Sequence, residues 1–237
     1  MSRSAETKAV LYDGFAAAWP ICLGYFPIGM ALGVLARQAG LTPLDMALMS
    51  LLVFAGSAQF IAVAMLAAGS SPGAIIATTF VVNFRHVLMS SALAVHLHGI
   101  SKRFLMLFAY GVNDESFAVN MARFRDGQWD RWRALVVHHS ANGVWFIATV
   151  TGCLVGSLIP AGAFGIDFAL PAMFLALLVL QFQSRIHVIT AILAAAVSVL
   201  CVLYLPGDSH AVIAAVVAAS IGYLLQRRKP SGREGTA

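Results

Sequence analysis

The chain has 237 residues, of which 60% are hydrophobic and 11% are charged, and its mean hydropathy is +0.84. Soluble domains average about 25% charged residues, so this composition excludes water as the main solvent. The net charge of +5 does not indicate nucleic-acid binding, because most basic residues stand at the ends of apolar runs and form no basic face interleaved with aromatic side chains.

Apolar segments follow one another along the whole chain. They lie near residues 10–36, 45–68, 73–96, 104–122, 134–157, 168–182, 187–204 and 210–226. Most of them approach the roughly 20 residues that a helix needs to cross a bilayer. The sequence therefore predicts an all-α, polytopic helical membrane protein with seven or eight membrane segments, forming a single integral membrane domain over residues 1–237.

Two of these segments are irregular. The segment 168–182 is short, and the polar run Asn113–Ser116 interrupts the segment 104–122. Irregular backbone is tolerated at membrane depth only where it is buried in protein or lines a wet cavity. We therefore expect broken or re-entrant helices at these two places.

The basic residues of the loops predict the orientation of the chain. If both termini are cytoplasmic, eleven of the fifteen Lys and Arg residues fall on the cytoplasmic side and three on the other, with Arg85 left inside a segment. This excess predicts an even number of crossings with both ends inside a bacterial plasma membrane. The basic linker 123–133 is then cytoplasmic.

The two parts of the chain are weakly alike. A GxxxG sequence occurs at residues 29–33 and again at 152–156, and LDMAL at 44–48 resembles IDFAL at 166–170. Such pairs indicate either an internal duplication, as in many secondary transporters, or ordinary close packing of helices. The predicted repeat halves are residues 10–122 and 134–226.

Arg85 is the most unusual residue of the sequence. It lies about twelve residues into the segment 73–96, where an arginine costs at least ~2.5–3.5 kcal/mol on insertion scales. A hairpin to the next segment brings Asp114 and Glu115 to a similar depth, so one of these carboxylates is expected to pair with Arg85. The pair either fixes helix register or marks a polar site on a transport pathway.

An arginine beside two carboxylates suits a small zwitterion with an apolar tail. Arginine offers a bidentate fork to a carboxylate, and a carboxylate meets an ammonium group or carries a proton. Neutral hydrogen-bonding groups are expected near the same depth, although each also suits a contact between helices. These neutral residues are Ser57, Gln59, Asn83 and Asn113.

Four motifs resemble those of a known family. They are VFAGSAQF at residues 53–60, VNFRHVLMS at 82–90, NDESFA at 113–118 and IDFALPA at 166–172. In order and spacing they are similar to the AzlC-like family, the large subunits of bacterial branched-chain amino-acid exporters. The resemblance implies export of valine, leucine, isoleucine and also methionine by a secondary transporter. It further implies a small AzlD-type membrane subunit, coupling to the proton motive force and no cofactor.

The resulting hypothesis assigns roles to residues by depth and charge. Arg85 binds the substrate carboxylate, while Asp114 or Glu115 meets the ammonium group or relays a proton. Gln59 and Asn83 orient both partners, and Ser57 and Asn113 complete the predicted substrate site. His86 lies next to Arg85 and is either a third proton carrier or a packing residue.

The composition alone also suits other classes of membrane protein. A transporter of another small metabolite, or a subunit that does not itself transport, fits the same composition. An intramembrane enzyme would need a nucleophile or metal motif, and the pairs His96/His98 and His138/His139 come without one. These four histidines are expected near the ends of spans. The sequence therefore predicts neither catalytic residues nor a metal site.

Overall fold

The computed structural model describes residues 3–127, 129–159 and 185–204, together with residues 168, 172, 175, 179, 217, 218 and 220–224. It divides into two compact units, Met1–Pro171 and Ala172–Ala237. The first unit contains the helices α1 (Arg3–Gln38), α2 (Pro43–Leu52), α3 (Gly56–Ala67), α4 (Pro72–Ala94), α5 (Lys102–Tyr110), α6 (Asp114–Arg125) and α7 (Arg131–Val155), and a 3₁₀ turn at Gly156–Leu158. The second unit contains α8 (Arg185–Tyr204).

The predicted class, an all-α helical membrane protein, is confirmed for the described residues. Within the described part of the chain, three helices are long and apolar enough to cross a bilayer, over Glu6–Gln38, Pro72–Ala94 and Arg131–Leu158. Shorter apolar helices stand at Pro43–Leu52, Gly56–Ala67 and Ile186–Cys201. Most residues of the predicted segments 168–182 and 210–226, and most of the IDFALPA motif, lie outside the described residues.

The two GxxxG sequences pack against each other, one on α1 and one on α7. A Cβ atom on Gly33 would lie 2.1 Å from the carbonyl oxygen of Thr149, and a Cβ atom on Gly152 would lie 2.2 Å from that of Met30. Any side chain at either position would collide with backbone. The glycines therefore let the two helices approach more closely than other residues permit.

Helices α1 and α7 run in the same direction. In the first turn of α7, Arg133 Nε donates at 2.9 Å to Oδ2 of Asp13, which lies in the N-terminal part of α1. Near their last turns, a Cβ atom on Gly156 would lie 2.9 Å from the Cβ atom of Arg37. The end of the linker 123–133 thus lies beside the beginning of α1, as expected if both face the same side of the membrane. The side itself and the repeat halves stay predictions.

Two of the apolar segments that carry resemblance motifs, 45–68 and 104–122, are broken. The break in 104–122 was predicted, and the structure ends α5 at Tyr110 and begins α6 at Asp114. Asn113 caps α6 by accepting from the backbone N–H of Ser116 at 2.8 Å, while Ser116 Oγ accepts from the backbone N–H of Asn113 at 3.1 Å. This reciprocal capping box stabilises a helix start inside an apolar region.

The prediction of one continuous segment at 45–68 is wrong. Helix α2 ends at Leu52, and α3 begins at Gly56 after extended backbone at Ala55. Trp145 of α7 provides a physical reason, because its ring occupies the space beside Gly56, 3.0 Å from where a Cβ atom would lie. A glycine at this position weakens a continuous helix and admits the indole at the same time.

Candidate functional site

Arg85 of α4 joins the two broken segments. Its Nη1 atom lies 2.9 Å from Asp114 Oδ2, and its Nη2 atom donates to Ser57 Oγ. The side chains of Arg85 and Asp114 are 30% and 33% exposed, so the pair is partly shielded from solvent. The predicted ion pair between Arg85 and a carboxylate of the next segment is thus formed, with Asp114 as the partner.

The two partners of Arg85 occupy equivalent places on their helices. Ser57 is the second residue of α3 and Asp114 is the first residue of α6. A helix N-terminus presents unpaired N–H groups and a partial positive charge of about half a unit. The N-terminal ends of α3 and α6, both partially positive, therefore lie near the positively charged guanidinium of Arg85. Asp114 supplies one negative charge against these positive groups. Such an arrangement favours a bound anion.

Two donors at this place have no hydrogen-bond partner among the described residues. They are Arg85 Nε and Asn113 Nδ2, both of which are buried atoms. Asn113 is only 5% exposed, and its Oδ1 atom is already committed to the cap of α6. A buried donor without a partner costs about 1–3 kcal/mol, so both groups favour an acceptor supplied by a ligand.

Glu115 has a different partner from its neighbour Asp114. The hydroxyl of Tyr25 donates to Glu115 Oε2 at 2.5 Å, which brings α1 into the site. The ring of Tyr25 packs edge-on against Trp145 of α7, with ring centroids 5.1 Å apart. Sequence reasoning missed Tyr25 because a single tyrosine in an apolar segment carries no distinguishing pattern.

Gln59 lies in a buried chain of hydrogen bonds. Trp145 Nε1 donates to Gln59 Oε1 at 2.7 Å, and Gln59 Nε2 donates to Ser50 Oγ at 3.3 Å. Ser50 in turn bonds Thr149 Oγ1 at 2.8 Å. The polar atoms of Gln59 are therefore bonded to α2 and α7, and they hold both parts of the first broken segment against α7.

The remaining predicted site residues of α4 are half-buried beside Arg85. Asn83 Oδ1 and His86 Nε2 are buried atoms with no hydrogen-bond partner among the described residues. A ring nitrogen and an amide oxygen left without partners are available to a ligand or a water molecule.

His138 is a packed residue whose two ring nitrogens both have side-chain partners, and its predicted place near the end of a span stays a prediction. It is fully buried in α7 and bonds Ser116 Oγ through Nδ1 at 2.8 Å and Asn120 Nδ2 through Nε2 at 3.2 Å. Trp129 Nε1 donates to Asn120 Oδ1 at 2.9 Å, which fixes the orientation of the amide. Nε2 of His138 therefore accepts and Nδ1 donates to Ser116, the residue that closes the cap of α6.

Metal ligation has no support in the part of the chain that the structure describes. No group of three or more His, Cys, Asp and Glu side chains stands close enough there to hold a metal ion. The three cysteines, Cys22, Cys153 and Cys201, are buried thiols with no disulfide.

The fold and the site together define a polytopic helical membrane protein with a polar site between broken helices. The chain belongs to the AzlC protein family, which matches residues 20–159. It is 30% identical to "Inner membrane protein YgaZ" of Escherichia coli over 94% of this chain and 93% of that protein. It is 27% identical to "Branched-chain amino acid transport protein AzlC" of Bacillus subtilis over 97% and 90% of the two chains.

Other relatives are known only by their class. The chain is 32% identical to an "Uncharacterized membrane protein" of Archaeoglobus fulgidus over 82% of this chain and 86% of that one. No solved structure matches the chain significantly. The relatives' names and the apolar helices agree that this is a membrane protein of a transport family.

Proposed function

We propose that this chain is a secondary transporter that exports branched-chain amino acids across the bacterial plasma membrane. The substrates are valine, leucine and isoleucine, with methionine as a further candidate. Export is driven by the proton motive force and requires a small AzlD-type subunit, and both termini of the chain are cytoplasmic. The name of the Bacillus subtilis relative, a branched-chain amino acid transport protein, supports the substrate class.

The observation that carries the proposal is the position of Arg85 between the starts of α3 and α6. A substrate carboxylate in this place meets a guanidinium and two positive helix ends. Half-helix N-termini that face a substrate carboxylate are a recurring feature of secondary transporters. The unpaired donors Arg85 Nε and Asn113 Nδ2 provide hydrogen bonds for that carboxylate without displacing Asp114 or Ser57 from Arg85.

The other proposed residues act around this carboxylate site. Asp114 keeps Arg85 in place, and Glu115 and Asn83 Oδ1 are acceptors for the substrate ammonium group. Glu115, Asp114 and His86 are the candidate proton carriers. Gln59 acts as a positioning residue, since both of its polar groups are bonded to protein.

Efflux of radiolabelled valine from cells loaded with a valine dipeptide tests the proposal. The cells carry this chain, an AzlD-type subunit, or both, in a host that lacks its own exporters of this type. We expect valine efflux only when both chains are present, and loss of efflux in Arg85→Ala protein that inserts normally. Arg123→Ala is the matched control, because Arg123 stacks on Trp129 outside the site.

Three results would contradict the proposal. Absence of efflux with any branched-chain amino acid would exclude this substrate class and favour another small metabolite. Full efflux by the inserted Arg85→Ala variant would remove Arg85 from the site. Conversion of substrate in detergent, where no gradient exists, would instead indicate an enzyme.

A further inference from the structure

The two neighbouring carboxylates at the start of α6 are not equivalent. Asp114 is paired with the guanidinium of Arg85 at 2.9 Å, whereas Glu115 accepts from the neutral hydroxyl of Tyr25 at 2.5 Å. The charge of Asp114 is therefore balanced by a paired cation, whereas Glu115 forms no ion pair among the described residues and its side-chain partner is a neutral hydroxyl. An ionised carboxylate in such a partly buried place is costly unless a proton or a cation joins it.

From this difference we propose that a proton and the ammonium group of the substrate compete for Glu115, and that Tyr25 positions the carboxylate for both. This inference rests on the proposed function, because it assigns the ammonium half of the same site. It assigns different roles to Asp114 and Glu115, which the sequence alone did not distinguish. Asp114 orients Arg85, and Glu115 couples transport to protons.

The charged and polar groups around Glu115 come from α1, α4 and α6, with α7 packed behind them. Helix α1 contributes Tyr25, α4 contributes Arg85 and α6 itself contributes Asp114, while His86 of α4 lies beside Arg85 and Asp114. Helix α7 contributes Trp145 behind Tyr25, and its buried His138 is bonded to Ser116 and Asn120. The charges of Arg85 and Asp114 cancel. This end of the site is therefore negative only when Glu115 holds neither a proton nor the substrate ammonium group.

Because the proton and the substrate compete for one carboxylate, they must cross the membrane in opposite directions. A substrate that binds with its ammonium group on Glu115 requires the ionised carboxylate, so the proton must leave first. On the cytoplasmic side, Glu115 releases its proton to that side and binds the ammonium group. On the outer side, the amino acid leaves and a proton from outside takes its place. One cycle therefore exports one neutral zwitterion and imports one proton, which is antiport.

Tyr25 is suited to hold Glu115 in both states. Its hydroxyl donates to the ionised carboxylate and accepts from the protonated one, because a phenol has both capacities. Trp145 keeps the Tyr25 ring in place by an edge-to-face contact. Tyr25→Phe retains this ring contact and removes only the hydroxyl, so it separates the hydrogen bond from the packing.

Inverted membrane vesicles that hold the full chain with its small subunit test the inference. Two assays are run on each variant: exchange of internal for external valine without a gradient, and valine uptake driven by an acid interior. For the wild type we expect both activities. We also expect the half-saturating valine concentration in exchange to rise by up to about tenfold per unit of falling pH, as simple competition requires.

The variants separate coupling from binding. Glu115→Gln is expected to keep exchange at high valine, to lose the acceleration by an acid interior, and to lose the pH dependence of half-saturation. Tyr25→Phe is expected to raise the half-saturating valine concentration by about threefold to tenfold, in line with the net contribution of one typical hydrogen bond, with little change in the maximal rate. Asp126→Asn, at the exposed end of α6, is the control and is expected to behave as the wild type.

The outcomes distinguish this inference from the proposed function. If the wild type exchanges no branched-chain amino acid, the proposed function fails and the inference fails with it. If the wild type exchanges valine and Glu115→Gln still responds to an acid interior, only the inference is overturned. If Glu115→Gln does not insert, the pH dependence of the wild type decides. A half-saturating valine concentration that stays constant or decreases as the pH is lowered contradicts competition.

Discussion

Arg85 of α4 and Asp114 at the first position of α6 form an ion pair, with 2.9 Å between Nη1 and Oδ2. The same guanidinium donates to Ser57 in the first turn of α3. One side chain thus holds the starts of two broken helices, and the transport proposal depends on this geometry.

Arg85→Lys tests whether the shape of the guanidinium is required. Lysine keeps the positive charge but lacks the planar fork that reaches Asp114 and Ser57 together. We expect valine efflux to fall by about tenfold or more, which corresponds to about 1.4 kcal/mol of lost interaction with the substrate. The amount of inserted protein should stay normal, and Arg123→Lys serves as the control. Unchanged efflux in Arg85→Lys would show that charge alone suffices.

A double-mutant cycle with Arg85→Gln and Asp114→Asn measures the ion pair itself. Residues in direct contact show coupling energies of about 0.5–3 kcal/mol, and removing one partner leaves the other charge uncompensated. We expect the double variant of the purified protein to lose less thermal stability than the sum of the losses of the two single variants. Strict additivity would mean that the pair does not form in the membrane.

The packing of α1 on α7 makes a prediction about four glycines. Gly33→Ala and Gly152→Ala would drive a methyl group into backbone, whereas Gly24 and Gly143 on the same two helices have nothing within 4 Å of a Cβ position. Overpacking costs about 1–3 kcal/mol. We expect Gly33→Ala and Gly152→Ala to lower the melting temperature in detergent, and Gly24→Ala and Gly143→Ala to leave it unchanged or raise it. Equal melting temperatures for all four variants would contradict the close contact.

Trp145→Phe tests whether the hydrogen bond from Trp145 to Gln59 stabilises the first broken segment, 45–68. The change keeps an aromatic ring beside Gly56 but removes the N–H that donates to the fully buried Gln59. A buried acceptor left without its donor costs about 1–3 kcal/mol. We expect a loss of thermal stability of this order, and little further loss when Gln59→Leu is added. If Gln59 instead contacts substrate, Gln59→Leu will change the half-saturating valine concentration more than the stability.

The sequence was sufficient for the parts of the fold that depend on composition and charge. The long apolar helices, the break at Asn113 and the pairing of Arg85 with a carboxylate follow from segment length, polar interruptions and the cost of a charge in lipid. The break before Gly56 did not follow, because its cause is Trp145, which lies far away in the sequence. Tyr25 and His138 were missed for the same reason, since their roles depend on partners that only the packing of α1, α6 and α7 reveals.

Competition between valine and valinamide tests the central claim most directly, that Arg85 and the helix starts around it bind a substrate carboxylate. Valinamide keeps the side chain and the amine of valine but replaces the carboxylate by a neutral amide. The account predicts that leucine inhibits valine exchange by the wild-type protein at concentrations similar to valine itself, and that valinamide inhibits at least about tenfold more weakly. Equal inhibition by valinamide and leucine would show that no carboxylate is recognised, and would contradict the account.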